Sequence, residues 1–285
     1  MVAIDGRRYH LSASAAVNQA RRSPGLTAGF VLLTLIVGIA LLAPFVTSYS
    51  PDNQNVNQML LAPSVHHLLG TDELGRDIWS RIVYGTRTDL EIGVGAVAAT
   101  WIIGSTLGLV AGYLGGIADL IIMRLVDFVM AFPFYVLIIA LVFVIGSGSS
   151  SLFIALVSVG WVSYARIVRG EVRLATTRDY VLAARMTSVA NWKILLRHIL
   201  PNVVSQPIVY AMSDVVNVIL AVVTLGFLGL GVQPPTPEWG TMIAEGAAYL
   251  TTRWTFATFP AVAVVLTGVA FSFMGDGIAR RIHGD

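Results

Sequence analysis

The chain has 285 residues, 56% of them hydrophobic and only 12% charged, with a mean hydropathy of +0.77. That is too apolar for a soluble domain of this length and marks a polytopic membrane protein. The absence of cysteine excludes a disulfide framework, a thiol nucleophile and a cysteine metal site, and Lys193, the only lysine, excludes a Gly-Lys-Ser/Thr phosphate loop.

Residues 1–24 form a polar, basic tail, with Arg7, Arg8, Arg21 and Arg22 set against Asp5. The apolar run 25–46 is long enough to span a membrane and reads as an uncleaved first helix with a cytoplasmic N-terminus. A polar excursion follows over 47–87. It contains HLLGTDELGRDIWSRIVYGTR from His67 to Arg87, in which Gly70 and Gly75 punctuate turns. Ile78, Ile82 and Val83 give a short helix there an apolar side. His66 and His67, close to Asp72 and Glu73, suggest a metal site. Neighbouring histidines point to different sides and no ligand spacing recurs, so no metal is assigned.

The second span is expected over 90–113. Gly104, Gly108, Gly112 and Gly116 recur at every fourth residue, a stripe for close helix packing. The third span is expected over 121–145 and holds Arg124, Asp127 and Pro133. Charges inside a span are costly, and Arg124 and Asp127 at i, i+3 are expected to pair. After a flexible turn, the fourth span is short, over 152–165, with Trp161 and Tyr164 as interface anchors. Arg166, Arg169 and Arg173 then share one helical face. The fifth span, 203–227, carries Asp214 near its middle and Asn217 one turn on. The pair is either a pathway group or one satisfied structural carboxylate, and both readings stay open. LGFLGLGVQPPTPEWG covers 225–240. The sixth span is expected over 256–273, closed by Met274-Gly275-Asp276-Gly277.

Charge distribution orients these spans. Residues 161–202 hold seven basic and two acidic side chains, whereas 47–87 hold three basic and four acidic. The positive-inside rule puts 166–202 in the cytoplasm, 47–87 outside, and both termini in the cytoplasm.

The stretch DYVLAARMTSVANWKILLRHILPN, from Asp179 to Asn202, is dense in charge between apolar runs. As helix, Ala183, Ala184, Thr187 and Ser188 make a face of small side chains that admits close approach of another surface. Trp192, Leu195, Leu196 and Ile199, with Lys193 and Arg197 one turn apart, read as an amphipathic half lying on the membrane. Pro201 is acceptable in the first turn of the next helix.

This stretch resembles the EAA loop of ABC importer permeases of the dipeptide/oligopeptide/nickel group. Tyr180, Val181, Ala183, Ala184, Arg185 and the run His198 to Asn202 match, while the family's glycine corresponds here to Ser188. The His67–Arg87 run, MRLVDFVMAFP and the 225–240 run are similar to further segments of that family. Val222-Val223 stand where many relatives carry Glu-Ala, so no role of that glutamate transfers. The resemblance implies an all-α membrane protein with six transmembrane helices and the type I ABC importer permease fold. It implies the second permease subunit, not itself an enzyme, for dipeptides or oligopeptides, with nickel, glutathione or another small solute as alternative cargo. Tyr180, Ala183, Ala184, Arg185 and Ser188 would contact the ATPase, with Arg197, His198 and Pro201 in support. No cofactor is implied in this chain; ATP and Mg would sit on partner ATPase subunits. The implied partners are a sister permease, two ATPase domains, an extracytoplasmic substrate-binding protein and the lipid bilayer, with no nucleic acid. Two rival classes fit less well. A secondary transporter should show an internal repeat, and none is visible between the halves. A membrane enzyme should show a convergent acid/base or metal set, and neither H-E-x-x-H nor G-x-S-x-G occurs.

Overall fold

A computed structural model describes residues 24–186 and 190–283. The expected tail, apart from Pro24, lies outside the described residues. Among the described residues every element is helical, and pairing between extended residues is confined to one isolated bridge between Thr71 and Asp77. Five helices are long and apolar enough to cross a membrane: α1 (Pro24–Leu41), α2 (Ile78–Leu114), α5 (Ser149–Thr176), α7 (Ser205–Phe227) and α9 (Thr255–His283). Between them α3 (Gly116–Met130) and α4 (Phe134–Ile145) pass the same test only as a pair, bent by 90°. Short helices α6 (Asp179–Arg185) and α8 (Trp239–Ala247) sit at opposite ends of the bundle.

Several boundaries differ from expectation, each for a local reason. The second helix starts at Ile78 rather than near 90, because Asp77 caps it: its Oδ1 accepts the Ser80 N–H at 2.7 Å. Its 37 residues reach about 55 Å at the usual rise, far more than a hydrocarbon core of about 30 Å, so both ends project beyond the bilayer. The third crossing is not one straight helix. Proline has no N–H to continue the ladder and pushes its predecessor out of helical geometry, so α3 stops at Met130 and α4 begins after Pro133. The fourth helix is double the expected length. Its arginines find carboxylates on α3: Asp119 accepts from Arg169 Nη2 at 2.8 Å and Arg173 Nη2 at 2.5 Å. Asp127 pairs with Arg166 Nη2 at 2.9 Å, not with Arg124 as expected. The sixth helix does not close at 274–277 but runs to His283.

The glycines explain how these helices meet. A Cβ at Gly104 would lie 2.2 Å from Trp161 O, at Gly108 2.6 Å from Ala165 O, and at Gly112 2.8 Å from Val172 Cβ. The first three members of the stripe therefore lay α2 directly on the α5 backbone. The fourth, Gly116, faces open space at φ +55° and instead begins α3. Gly277, expected as a stop, is an approach point: a Cβ there would lie 2.5 Å from Leu26 Cβ on α1. The main core is shared by α2, α4, α5 and α7, with Ile92, Ile138, Leu156 and Ile219 buried in it. Large apolar side chains such as Phe30, Leu35, Phe128 and Phe143 are exposed on the outside, where lipid or a partner helix would cover them.

Candidate functional site

Where α5 ends, the hydroxyls of Thr176 and Thr177 donate to Arg173 O and Leu174 O at 2.7 and 2.9 Å, closing off the last carbonyls. Arg178 turns extended, and α6 begins with Asp179 in its first turn and ends with Arg185 in its last, charges that suit the helix dipole. One side chain holds α6 down. Val181 is fully buried among Val168, Val172, Ile194, Ile199 and Val203, with Ala184 packed partly against them. Tyr180, Leu182, Ala183 and Met186 face outward, Met186 at 91% exposure. The Arg185 guanidinium lies 5.7 Å from the Tyr113 ring centre, at the far end of α2. Ser188 and Thr187 lie outside the described residues.

The amphipathic half divides its apolar side chains between the core and the outside. Ile194 and Ile199 are buried and Leu195 half-buried, whereas Trp192 is 61% exposed and Leu196 also points outward. A π turn over Leu195–Ile199 widens the helix by one residue and shifts which side chains face the core. Pro201 sits just beyond it in a further turn, Leu200–Val203, and Asn202 Nδ2 donates to His198 O at 2.6 Å beside the N–H that proline lacks. Arg197 and Pro201 are exposed and His198 half-buried. Tyr180, Ala183, Ala184 and Arg185 are thus contiguous on α6, while Arg197, His198 and Pro201 belong to the segment that returns the chain to α7.

Asp214 lies inside the bundle on α7. The fully buried Tyr164 donates its hydroxyl to Asp214 Oδ2 at 2.8 Å, and the Tyr164 ring meets that of Tyr210 edge-on at 5.0 Å. Asn217 is exposed one turn along, so the two side chains sit in different surroundings.

The opposite end holds a charge cluster that sequence reasoning did not resolve. Arg76 and Arg81 are each only 1% exposed and share two carboxylates. Asp72 Oδ2 accepts from Arg76 Nε and Arg81 Nη1, both at 2.6 Å, while its Oδ1 accepts the Leu74 and Arg76 N–H groups at 2.9 Å. Glu245 Oε2, on α8, accepts from the same two arginines at 3.2 and 2.8 Å. Beside them, burial together with the Glu245 and Asp72 charges pushes the Glu73 carboxyl above its ordinary range. His67 is buried and faces Asp77 Oδ2 at 2.9 Å, stacked on Tyr49, while His66 is exposed. The turns need their glycines: a Cβ at Gly75 (φ +73°) would lie 1.9 Å from Asn55 O. The acid–base alternation of 72–81 was visible in sequence. Its partner Glu245, 164 residues from Arg81, was not.

A helical bundle of broken and glycine-packed apolar spans, with a short outward-facing helix between α5 and α7, marks a polytopic membrane protein. Residues 104–284 match the family described as the binding-protein-dependent transport system inner membrane component, and residues 14–63 match the N-terminal transmembrane domain of oligopeptide transport permease C. Among curated relatives, the di/tripeptide transport system permease protein DppC of Pseudomonas aeruginosa (strain UCBPP-PA14) is 40% identical over 89% of this chain and 86% of its own. The dipeptide permease protein DppC of Alkalihalophilus pseudofirmus is 38% identical over 92% and 86%, respectively. The glutathione permease protein GsiD of Pectobacterium atrosepticum is 40% identical over 90% and 86%. The chain belongs to the family of binding-protein-dependent transport system inner-membrane components. It is a multi-pass protein of the bacterial inner membrane and a transport permease rather than an enzyme.

Proposed function

We propose that this chain is the second permease subunit of a heterodimeric, ATP-driven importer of dipeptides or short oligopeptides. What carries the reading is the likeness, over most of the chain, to permeases named for di/tripeptide and dipeptide transport. A sister permease completes the pathway, two partner ATPase domains bind ATP and Mg and hydrolyse it, and an extracytoplasmic binding protein delivers the substrate. The excess of basic side chains in 166–202 supports a cytoplasmic position for that loop and for both termini, with 47–87 outside. Tyr180, Ala183, Ala184, Arg185 and Ser188 form the ATPase contact; Arg197, His198 and Pro201 hold its base. Closure of the ATPases moves α6, and Val181 passes the movement to α5 and the segment leading into α7. Asp214, with Asn217 beside it, faces the pathway.

The test is a reconstituted assembly of both permeases and the ATPases, assayed for dipeptide uptake and ATP hydrolysis with and without loaded binding protein. Hydrolysis that fails to rise with loaded binding protein overturns the importer reading. Glutathione is the second cargo to try, because a glutathione permease protein is equally similar. Asp214→Asn should lower uptake while leaving the assembly intact; loss of the assembly instead makes Asp214 structural.

A further inference from the structure

A second pair of carboxylates lies apart from the surfaces above. Asp89 is on α2 and Glu238 immediately precedes α8; each is fully buried. The same turn gathers both carboxyl groups: Asp89 accepts from the N–H of Trp239, the residue after Glu238, and Glu238 from the N–H groups of the next two. Their surroundings are unequal. Glu238 receives three donors: the Gly240 N–H at 2.5 Å, the Thr241 N–H at 2.8 Å and the Thr241 hydroxyl at 2.8 Å. Asp89 receives one, the Trp239 N–H on Oδ2 at 3.1 Å. Its other oxygen, Oδ1, is buried and accepts from no donor among the described residues.

Among the described residues, no salt bridge joins a cation to either carboxyl. On α2 the nearby charges are Arg81, held by Asp72 and Glu245, and Arg87, held by Glu91. α8 brings only Glu245, α7 has no charged residue after Asp214, and Arg253 before α9 donates to Leu60 O at 2.6 Å. Two ionised carboxylates gathered at one turn and out of water repel strongly, so one of them keeps a proton. Negative charge belongs where three donors converge. The proton belongs on the oxygen that has none.

We propose that Asp89 carries a proton on Oδ1 and donates it to an ionised Glu238, forming a one-proton latch between α2 and the start of α8. The latch seats Trp239, which is fully buried against Gly85 and donates Nε1–H to Ile82 O at 3.2 Å. It also reaches α7, where a Cβ at Gly226 would lie 2.0 Å from Glu238 Oε2. Three helices therefore meet at this proton, and Asp89 is a positioning residue for all of them.

The experiment uses the full-length chain, purified in detergent, and reads thermal stability against pH together with the infrared band of protonated carboxylic acids. Asp89→Asn keeps the geometry, since its amide donates to Glu238 while its oxygen accepts from Trp239. It should hold Tm within about 2 °C of wild type and lose one acid band. Glu238→Gln turns an amide N–H toward either the Gly240 donor or the Thr241 donors, and should lower Tm by about 5 °C or more. Raising the pH strips the proton from the native state, so wild-type Tm should fall on the alkaline side while Asp89→Asn stays level. Three results overturn the assignment: Glu238→Gln tolerated better than Asp89→Asn, no acid band lost in Asp89→Asn, or the same alkaline fall in both proteins.

Discussion

The two ends of α2 are built on opposite principles. At its start, Arg76, Arg81 and Asp72 are withdrawn from solvent and, with the half-buried Glu245 from far along the chain, form a shared network of ion pairs. At its finish, Tyr113 meets α6 through a cation–ring contact with Arg185 and packs with Leu109 against the cluster around Val181, the buried side chain of α6. A buried ion network tolerates no displacement, because each charge moved off its partner is left unpaired in a poor dielectric. A short helix with one buried residue and an outward face of Tyr180, Leu182, Ala183 and Met186 can tilt at little cost. One end fixes the helices relative to one another, and the other is free to be moved.

The largest effect should come from breaking the fixed end. Asp72→Ala leaves two buried guanidiniums to Glu245, with Glu73 4.0 Å from Arg76, and removing one partner of such a network typically costs about 3–5 kcal/mol. The yield of folded protein in detergent should collapse, whereas no single substitution on α6 should do so. Intact yield with normal Tm would erase the contrast.

The middle of α2 comes next. A methyl added by Gly108→Ala meets Ala165 O at 2.6 Å and must prise α2 from α5, an overpacking cost of about 1–3 kcal/mol. Thermal unfolding should show the loss, and Gly170→Ala on α5, with no neighbour within 4 Å and an ordinary helical backbone, serves as the comparison.

At the free end the effect should be functional instead. Ala183 is exposed, so Ala183→Trp disturbs no packing within this chain. It should leave Tm unchanged but weaken the ATPase contact about tenfold or more, lowering substrate-stimulated hydrolysis and uptake together. Ala184→Trp should do the same with some loss of stability, because Ala184 also packs on the Val181 cluster. Arg197→Ala should be mildest there, since an exposed charge contributes under about 1 kcal/mol.

The smallest effect sharpens the picture of the charged end. A carboxyl raised by burial is at its most favourable below its ordinary pKa, and its contribution is lost as pH rises through the raised value. Glu73→Gln should therefore gain stability relative to wild type as the pH climbs above about 4. A difference that shrinks with pH would mean that Arg76, 4.0 Å away, holds Glu73 ionised.

What the sequence determined alone follows from short-range rules. Apolar runs long enough to cross a bilayer marked the spans, the four-residue glycine period marked a packing face, and the 179–202 run marked the family. All of these are written in neighbours along one helix. Sequence pattern went astray where a partner came from elsewhere in the chain. The third crossing was predicted straight although Pro133 breaks it, and Asp127 was paired with Arg124 although Arg166 on α5 takes it. Gly277 looked like a terminator because a turn and a close helix contact call for the same residue, and only Leu26 on α1 distinguishes them. Residue spacing alone does not show the π turn over Leu195–Ile199, beside which Ile194 is buried while Trp192 and Leu196 lie outside. The bridge from the charges at the start of α2 to Glu245, and the meeting of Asp89 with Glu238, were decided by tertiary structure. A buried charge is tolerable only beside its partner, and those partners lie 149 residues or more apart, Arg81 from Glu245 and Asp89 from Glu238.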